Sequence, residues 1–336
     1  MNRYAHDLLT TRCAGWSSRC GYGGSNALAP SAAQPVPRTS ARQQVPGIYR
    51  QKVGNILFTC ITDGAVSFPR TDNFVLNVPP AEVEEALKAA FLPTDHINLP
   101  FSPVVLETAG RVVVVDTGVG EAALKASKGV GGQFHTNLRA AGYSAGAVDQ
   151  VLITHFHADH IGGLITQDGT SAFPNAQIMV PAAEYEFWMD KGNAGRAETD
   201  VIRANFERAQ RFMGILKEQV HQYEPGKEIV PGVTAISTPG HTPGHSSFIV
   251  SSESRKVVIQ GDVTNYYSLF VDHPGWHVWS DMYPVTAEQT RRKLYDTVAS
   301  EQLLLHGFHF NFPPLGHLTK AGEGYRYVPV AWDAYP

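Results

Sequence analysis

The sequence predicts an α/β (α+β) protein, arranged as a four-layer αβ/βα sandwich with two sheets between outer helices. Short apolar strands and helices alternate through both halves of the chain, with no linker-like break between Gly54 and Trp332. Histidines and aspartates recur directly after several of these strands. We therefore expect a single domain over residues 46–336. Residues 1–45, rich in Ser, Ala, Gly, Pro and Arg, are expected to be a disordered or processed leader.

Composition excludes several classes of protein. Hydrophobic residues make up 43 % of the chain, which is enough to bury a sizeable core, and no apolar run reaches the length that crosses a bilayer. The net charge of −4 offers no basic surface for nucleic acid. Three cysteines without a C-x-x-C pair predict neither a disulfide framework nor a thiolate zinc site. Residues 27–33 resemble the end of an export signal that lacks its apolar core, so a cytoplasmic and an exported soluble protein both stay open.

The first half of the chain is predicted to supply one sheet and its helices. Periodicity and turn residues place strands at 56–61, 104–106 and 111–115 and helices at 82–91 and 134–141. The strand 111–115 ends in Asp116, Thr117 and Gly118, which is the pattern of a buried strand that delivers a carboxylate to its end. A plain turn aspartate is the alternative interpretation of Asp116.

The motif H-x-H-x-D-H follows a short apolar strand at residues 151–153. Alternate residues leaving a strand point the same way, so His155 and His157 can share one metal ion. Asp159 and His160 then turn toward a neighbouring position, where the carboxylate adds charge for a second divalent ion. The alternative is a polar surface loop that holds histidines by chance.

The second half of the chain is predicted to form strands at 176–180, 233–237, 247–250 and 257–260 and helices at 184–189, 197–220 and 286–299. Three aromatic residues in the first two of these helices could line a substrate pocket near the metals: Phe187, Trp188 and Phe206. Core packing is the alternative role for these side chains.

Further candidate ligands stand after the later strands. Residues 238–245 form a loop of prolines and glycines that holds His241 and His245, Asp262 ends the strand 257–260, and His306 and His309 follow the apolar run 303–305. We expect two metal positions that share Asp262: the first is formed by His155, His157 and His245, and the second by Asp159, His160 and one late histidine. The role of His241 stays open.

Two ions about 3.5–4 Å apart would share and acidify a bridging water, so this ligand set predicts a hydroxide nucleophile at neutral pH. Asp262 would position that hydroxide and accept its proton. Asp116 would accept a hydrogen bond from the N–H of a ligating imidazole and so fix its tautomer.

Taken together, these residues resemble the metallo-β-lactamase superfamily, which implies the four-layer sandwich of that family. The family pattern of the 240–245 segment implies His245 as the ligand and not His241. Residues 309–317 and 322–330 resemble the methyl parathion hydrolase subgroup, which includes organophosphate hydrolases and lactonases. This resemblance implies His309 over His306 as the last ligand, and a homodimer. It covers residues 46–332.

We therefore expect a dinuclear metal-dependent hydrolase that acts on a small molecule through a metal-bridging hydroxide. A lactone or aryl ester is the first choice of substrate and a phosphotriester the second, and the two divalent ions are zinc, with Mn, Fe or Co as alternatives. Four other functions stay open: a di-iron oxidoreductase, a thioester hydrolase, a nuclease, which the acidic charge disfavours, and a non-catalytic metal-binding protein.

Overall fold

The computed structural model describes residues 44–334 and residue 336. Nearly all of the expected leader, with Cys13 and Cys20, lies outside the described residues. Residues Gln43–Pro336 form one compact unit. Within the described part of the chain, no helix is both long enough and apolar enough to cross a membrane.

The described residues contain sixteen strands. In chain order they are β1 (Ile48–Val53), β2 (Ile56–Ile61), β3 (Gly64–Pro69), β4 (His96–Phe101), β5 (Val104–Thr108), β6 (Arg111–Val115), β7 (Gln150–Leu152), β8 (Gln177–Pro181), β9 (Val220–Tyr223), β10 (Glu228–Val230), β11 (Val233–Ser237), β12 (Ser246–Ser252), β13 (Arg255–Ile259), β14 (Leu304–His306), β15 (Leu315–Ala321) and β16 (Gly324–Pro329).

The helices are mostly short. They are α1 (Pro80–Ala89), α2 (Glu121–Ala126), α3 (Phe134–Ala140), α4 (Ala158–Ile161), α5 (Ala182–Met189), α6 (Lys191–Gly195), α7 (Asp200–Ile215), α8 (Tyr267–Phe270) and α9 (Pro284–Ser300).

Two seven-stranded sheets carry the fold. The first has the order β1-β2-β5-β6-β7-β8-β9 and the second runs from β10 to β16 in sequence order. In the first sheet β6, β7, β8 and β9 are parallel neighbours, and in the second β13 and β14 are parallel. The carboxyl ends of parallel strands meet at one edge of a sheet, so the loops after β6 and β7, and those after β13 and β14, lie side by side.

The two sheets pack face to face and helices cover their outer faces. Phe58 of the first sheet and Phe248 of the second belong to one buried apolar cluster, which fills the space between the sheets. A second cluster packs α3, α5 and α7 on the first sheet, and a third packs α9 on the second. This arrangement confirms the predicted αβ/βα sandwich.

The helix predicted over residues 197–220 is shorter in the structure, and a strand follows it. Thr199 caps α7 by accepting a hydrogen bond from the Ile202 N–H at 3.2 Å. The chain then leaves the helix after Ile215 and returns as β9, which pairs with β8. Sheet pairing therefore overrides the apolar spacing that suggested a continuous helix.

The hairpin of β3 and β4 was not predicted from the sequence. It pairs from Gly64 with Phe101 to Pro69 with His96 and lies outside the two large sheets. Its residue Ile97 packs with α1 and α8 in a fourth apolar cluster. This hairpin forms one wall of the cavity described below.

Candidate metal centre

The H-x-H-x-D-H motif is held in place by Asp116, at the end of β6. Its carboxylate accepts hydrogen bonds from both the backbone N–H and the hydroxyl of Thr154, each at 2.9 Å. Thr154 immediately precedes the motif, so these bonds fix where the chain leaves β7. Helix α4 begins directly after His157 and carries Asp159 and His160 in its single turn.

Three histidines converge to form the first candidate metal position. One ligand atom from each of His155, His157 and His241 lies within 4.8 Å of the others. The His157 Nδ1 and His241 Nε2 atoms are 2.9 Å apart. The motif loop and the 238–245 loop, on different sheets, thus meet at this point.

The second candidate position gathers two carboxylates and two histidines. Ligand atoms of Asp159, His160, Asp262 and His309 also lie within 4.8 Å of one another. The His309 Nε2 atom is 3.1 Å from Asp262 Oδ2 and 3.4 Å from Asp159 Oδ2. A mixed set of imidazoles and carboxylates suits zinc and other divalent first-row ions.

Asp262 lies between the two positions. Its Oδ1 atom is 3.2 Å from His160 Nε2, whereas its Oδ2 atom is 3.3 Å from His241 Nε2. One carboxylate therefore faces both ligand groups, as the sequence predicts for a shared ligand.

Several buried atoms of this cluster fit bound cations. The atoms His155 Nε2, His160 Nε2 and Asp262 Oδ1 have no hydrogen-bond partner among the described residues. A buried polar atom left unpaired costs about 1–3 kcal/mol. These three atoms all belong to the two ligand groups, so a divalent ion in each group would satisfy them.

At the first position the electrostatics favour neutral imidazoles at His155 and His157, whereas the hydrogen bond to Asp281 and the charge of Asp262 raise the pKa of His241 despite its burial. Burial, together with the neighbouring histidines, holds the pKa of His155 and of His157 well below the usual value. Burial would also lower the pKa of His160, but Asp262, Asp116 and Asp159 raise it well above the usual value. The carboxylates thus concentrate negative charge at the second position, where a cation would replace that proton.

The structure corrects the expected ligand His245. Its Nδ1 atom lies 2.9 Å from Thr238 Oγ1, and its Nε2 atom accepts the Asp262 N–H at 3.0 Å. Both ring nitrogens are therefore engaged, and the ligand assignment of His245 is wrong. His241 takes its place, while His245 supports the backbone of Asp262. Gly261 allows this contact, because a Cβ there would lie 2.7 Å from His245 Nε2.

The structure also separates the two late histidines. His309 joins the second ligand group, and its Nδ1 atom faces the Pro100 carbonyl oxygen at 2.8 Å. His306 instead lies in the core, with its ring centroid 5.8 Å from that of Phe58. Neither ring nitrogen of His306 has a hydrogen-bond partner within residues 44–334.

His306 should make the protein less stable in acid. Burial lowers the pKa of its imidazole to about 3, below the usual 6.5. Between pH 6.5 and about pH 3 the imidazole binds a proton in the unfolded state but not in the folded state. The free energy of unfolding therefore falls as the pH drops through this range. From pH 7.5 to pH 5 the loss is about 2 kcal/mol.

Urea unfolding of the metal-free protein at pH 7.5 and pH 5 tests this expectation. His306→Leu should lose less stability on acidification than the wild-type protein, whereas the exposed control His221→Leu should match the wild type. An equal pH dependence in all three proteins would contradict the prediction.

Two carboxylates orient ligand imidazoles by facing the Nδ1 atom of each ring. Asp116 Oδ2 lies 2.8 Å from His160 Nδ1, the outer contact that the sequence predicts. Asp281 Oδ1 lies 2.9 Å from His241 Nδ1, and the buried Arg291 guanidinium donates to the other oxygen of Asp281 at 3.1 Å. Asp281 was missed because no strand end or motif marks it in the sequence.

A cavity of about 580 Å³ opens onto both ligand groups. Its walls are mostly apolar and come from the β3–β4 hairpin, α7 and the loop before α9: Val66, Phe68, Leu99, Phe101, Val201, Ile202, Trp279 and Met282. No lysine or arginine lines it in the described part of the chain. The cavity therefore suits an uncharged ligand with apolar groups.

The three aromatic residues predicted as pocket walls lie elsewhere. Trp188 and Phe206 are buried in the apolar cluster on the first sheet, and Phe187 packs against that cluster. The Trp188 ring lies behind His157, with centroids 6.0 Å apart. The pocket assignment of Phe187, Trp188 and Phe206 is therefore wrong, because sheet packing takes up these side chains.

Comparisons with known proteins agree with this geometry. The family described as the metallo-beta-lactamase superfamily matches residues 102–301. An N-acyl homoserine lactonase of Bacillus cereus is 27% identical over 189 residues, 52% of this chain and 67% of the relative. One from Bacillus thuringiensis is 26% identical over 240 residues, 67% of this chain and 86% of the relative.

Two solved structures are similar over most of the chain. One, described as AidC, a dizinc quorum-quenching lactonase in complex with a product, has a TM-score of 0.80 and 23% identity, and the match covers 86% of this chain and 99% of that one. The other, described as hydrolase AbOPH in the beta lactamase superfamily, has a TM-score of 0.78 and 26% identity, with 87% and 100% coverage.

Proposed function

Since the chain belongs to the metallo-beta-lactamase superfamily, we propose that it is a zinc-dependent hydrolase of lactones that carry an apolar substituent. The observation that carries the proposal is that both ligand groups contribute to the lining of a largely apolar cavity that has no lysine or arginine in its described walls. The similar N-acyl homoserine lactonases support a lactone as the reacting group.

The chain supplies two positions for divalent ions, held by His155, His157 and His241 and by Asp159, His160 and His309, with Asp262 facing both. Ions bound there would acidify a water molecule and polarise a carbonyl oxygen. Zinc is proposed because the donors are imidazoles and carboxylates and because one similar structure is described as dizinc.

Two acidic side chains handle the protons of the reaction. Asp262 faces both ligand groups and is placed to orient the attacking water and accept its proton. The water oxygen bonds to the lactone carbonyl carbon, and the bond from that carbon to the ring oxygen breaks. Asp159 lines the cavity, with its side chain 21% exposed, and its carboxylate lies within 4.8 Å of that of Asp262, so it is placed to pass the proton taken up by Asp262 to the leaving oxygen. The product is a hydroxy acid.

A substrate panel for the zinc-loaded protein tests this function. We expect N-acyl homoserine lactones to be hydrolysed, with kcat/KM rising as the acyl chain lengthens, because each buried methylene contributes about 0.8 kcal/mol. Removal of the metal with a chelator should abolish the activity. Lactones that remain intact with fully loaded protein would rule the proposal out.

A neutral phosphotriester is the second candidate substrate, because the cavity lining lacks lysine and arginine and so also suits an uncharged phosphoryl centre. Aryl esters and phosphotriesters therefore belong in the same panel. Faster phosphotriester than lactone hydrolysis would favour this second function.

We also propose that the protein is a homodimer, which light scattering would test.

A further inference from the structure

A buried carboxylate outside both ligand groups joins the two loops of the first metal position. Glu184 lies in α5 and its side chain is fully buried. Each of its oxygens accepts two hydrogen bonds, so the carboxylate is saturated with donors. A buried carboxylate is costly unless such bonds compensate its lost hydration, so this residue requires an explanation.

One carboxylate oxygen holds the loop that carries His155 and His157. Glu184 Oε1 accepts the backbone N–H of Phe156 at 3.0 Å, and Phe156 is the residue between the two histidines. The same oxygen accepts the Trp188 Nε1–H at 2.6 Å. Trp188 lies one helical turn after Glu184, so this second bond orients the carboxylate from within α5.

The other oxygen holds the loop that carries His241. Glu184 Oε2 accepts the Thr242 hydroxyl at 2.8 Å and the Gly244 N–H at 2.9 Å. The loop also touches the backbone of α5, because a Cβ at Gly244 would lie 2.1 Å from the Glu184 nitrogen. Glycine at this position therefore allows the loop to approach the carboxylate.

We propose that Glu184 is a positioning residue that sets the distance between these two loops and thereby the metal affinity of the position formed by His155, His157 and His241. Asp116 and Asp281 each orient one imidazole, whereas Glu184 ties together the two chain segments that supply all three. The second position has no described hydrogen bond to Glu184, so its affinity should depend little on this residue. The inference rests on metal binding at the proposed centre.

Glu184→Gln tests the proposal with little change in shape. The glutamine amide has one oxygen that accepts hydrogen bonds and one NH₂ group that donates them. The Phe156 N–H and the Trp188 Nε1–H can only donate, so the amide oxygen should face these two groups. The Thr242 hydroxyl can rotate to accept, so the amide NH₂ group should face Thr242 and Gly244. The substitution should therefore release the loop that carries His241.

The measurement is a titration of the metal-free, full-length protein with Co²⁺, followed by visible absorption and by calorimetry. We expect wild-type protein to bind two equivalents. Glu184→Gln should bind one equivalent about 10–100-fold more weakly and the other with unchanged affinity. A loss of this size is typical when a residue that orients metal ligands, without contacting the metal itself, is replaced. Glu186→Gln, an exposed change in the same helix, is the matched control and should bind like the wild type.

Thr242→Val provides a second and milder test, which also serves if Glu184→Gln does not fold. It removes one donor to Glu184 Oε2 and should weaken the same equivalent. The double variant should weaken this equivalent by less than the sum of the two single effects, because both changes act on the same set of bonds between residue 184 and the loop that carries His241.

Equal weakening of both equivalents, additive effects in the double variant, or a loss of folding stability with both affinities unchanged would overturn the proposal. Lactone hydrolysis is not the readout here. Wild-type protein that binds two equivalents but leaves lactones intact would therefore refute the proposed function without affecting this inference.

Discussion

Replacing His241 with alanine is expected to remove one of two bound metal equivalents and to cause the largest loss of activity of any single histidine in the 238–245 loop. The His241 Nε2 atom lies 2.9 Å from His157 Nδ1 and 3.3 Å from Asp262 Oδ2. It therefore faces both the first metal position and the shared carboxylate. Loss of a direct ligand should lower kcat/KM by more than the ~10–100-fold that is typical for residues that only orient the ligands.

His245→Gln is the informative comparison, because glutamine can still accept the Asp262 N–H. We expect this variant to keep two metal equivalents, as measured by elemental analysis after dialysis. The exposed His221→Ala variant should behave as wild type. Retention of two equivalents by His241→Ala, with loss of one by His245→Gln, would restore the ligand set expected from the sequence.

Asp262→Asn should lower activity and metal content together. Its two oxygens face His160 and His241, so one charge serves both ligand groups. The amide removes that charge and turns an NH₂ group toward at least one ring nitrogen. We expect both metal affinities to weaken and kcat/KM to fall at least 10²–10³-fold, on the order of the effect of removing one preorganised electrostatic group.

Asp272→Asn is the matched control, because Asp272 is exposed in the segment that follows the metal centre. Metal content and kcat/KM of both variants would be measured side by side, with circular dichroism to verify folding. A folded Asp262→Asn protein with wild-type metal content and rate would show that the carboxylate serves neither position.

The strand ends were predictable because their signals are local. A run of valines before Asp116, an apolar triplet before His155 and the strand before Asp262 each mark a buried strand whose next residues must leave the sheet. The structure places Asp116 and His155 at neighbouring strand ends of the first sheet and Asp262 after a strand of the second sheet, and all three lie in or next to the two ligand groups. Local patterning was sufficient there because each residue directly follows a buried strand.

The choice between His241 and His245 depended on tertiary structure. Both histidines lie in one loop of prolines and glycines, and nothing in their immediate neighbours distinguishes a ligand from a supporting residue. The contacts that decide are long-range: Asp281 orients His241, and the backbone of Asp262 engages His245. Glu184 was missed for the same reason, because its partners in the two ligand loops lie 28 and 58–60 positions away.

For the cavity too, the sequence left alternatives open that only the tertiary structure decided. Phe187, Trp188 and Phe206 follow a helical pattern that fits a pocket wall and a core equally well, and packing on the first sheet decides for the core. Besides Val201 and Ile202 of α7, the walls come from the β3–β4 hairpin and from the loop before α9, and these two segments have no clear sequence pattern.

By itself, the sequence determined the sandwich, the strand ends and six of the residues that the structure gathers into two ligand groups: His155, His157, Asp159, His160, Asp262 and His309. These depend on periodicity and on motifs a few residues long. Only the tertiary structure decided that His241 completes the first group, that Glu184 and Asp281 support it, and which side chains enclose the cavity beside the two groups. Each of these depends on which distant segments pack together, and the residues next to each position in the sequence do not indicate this packing.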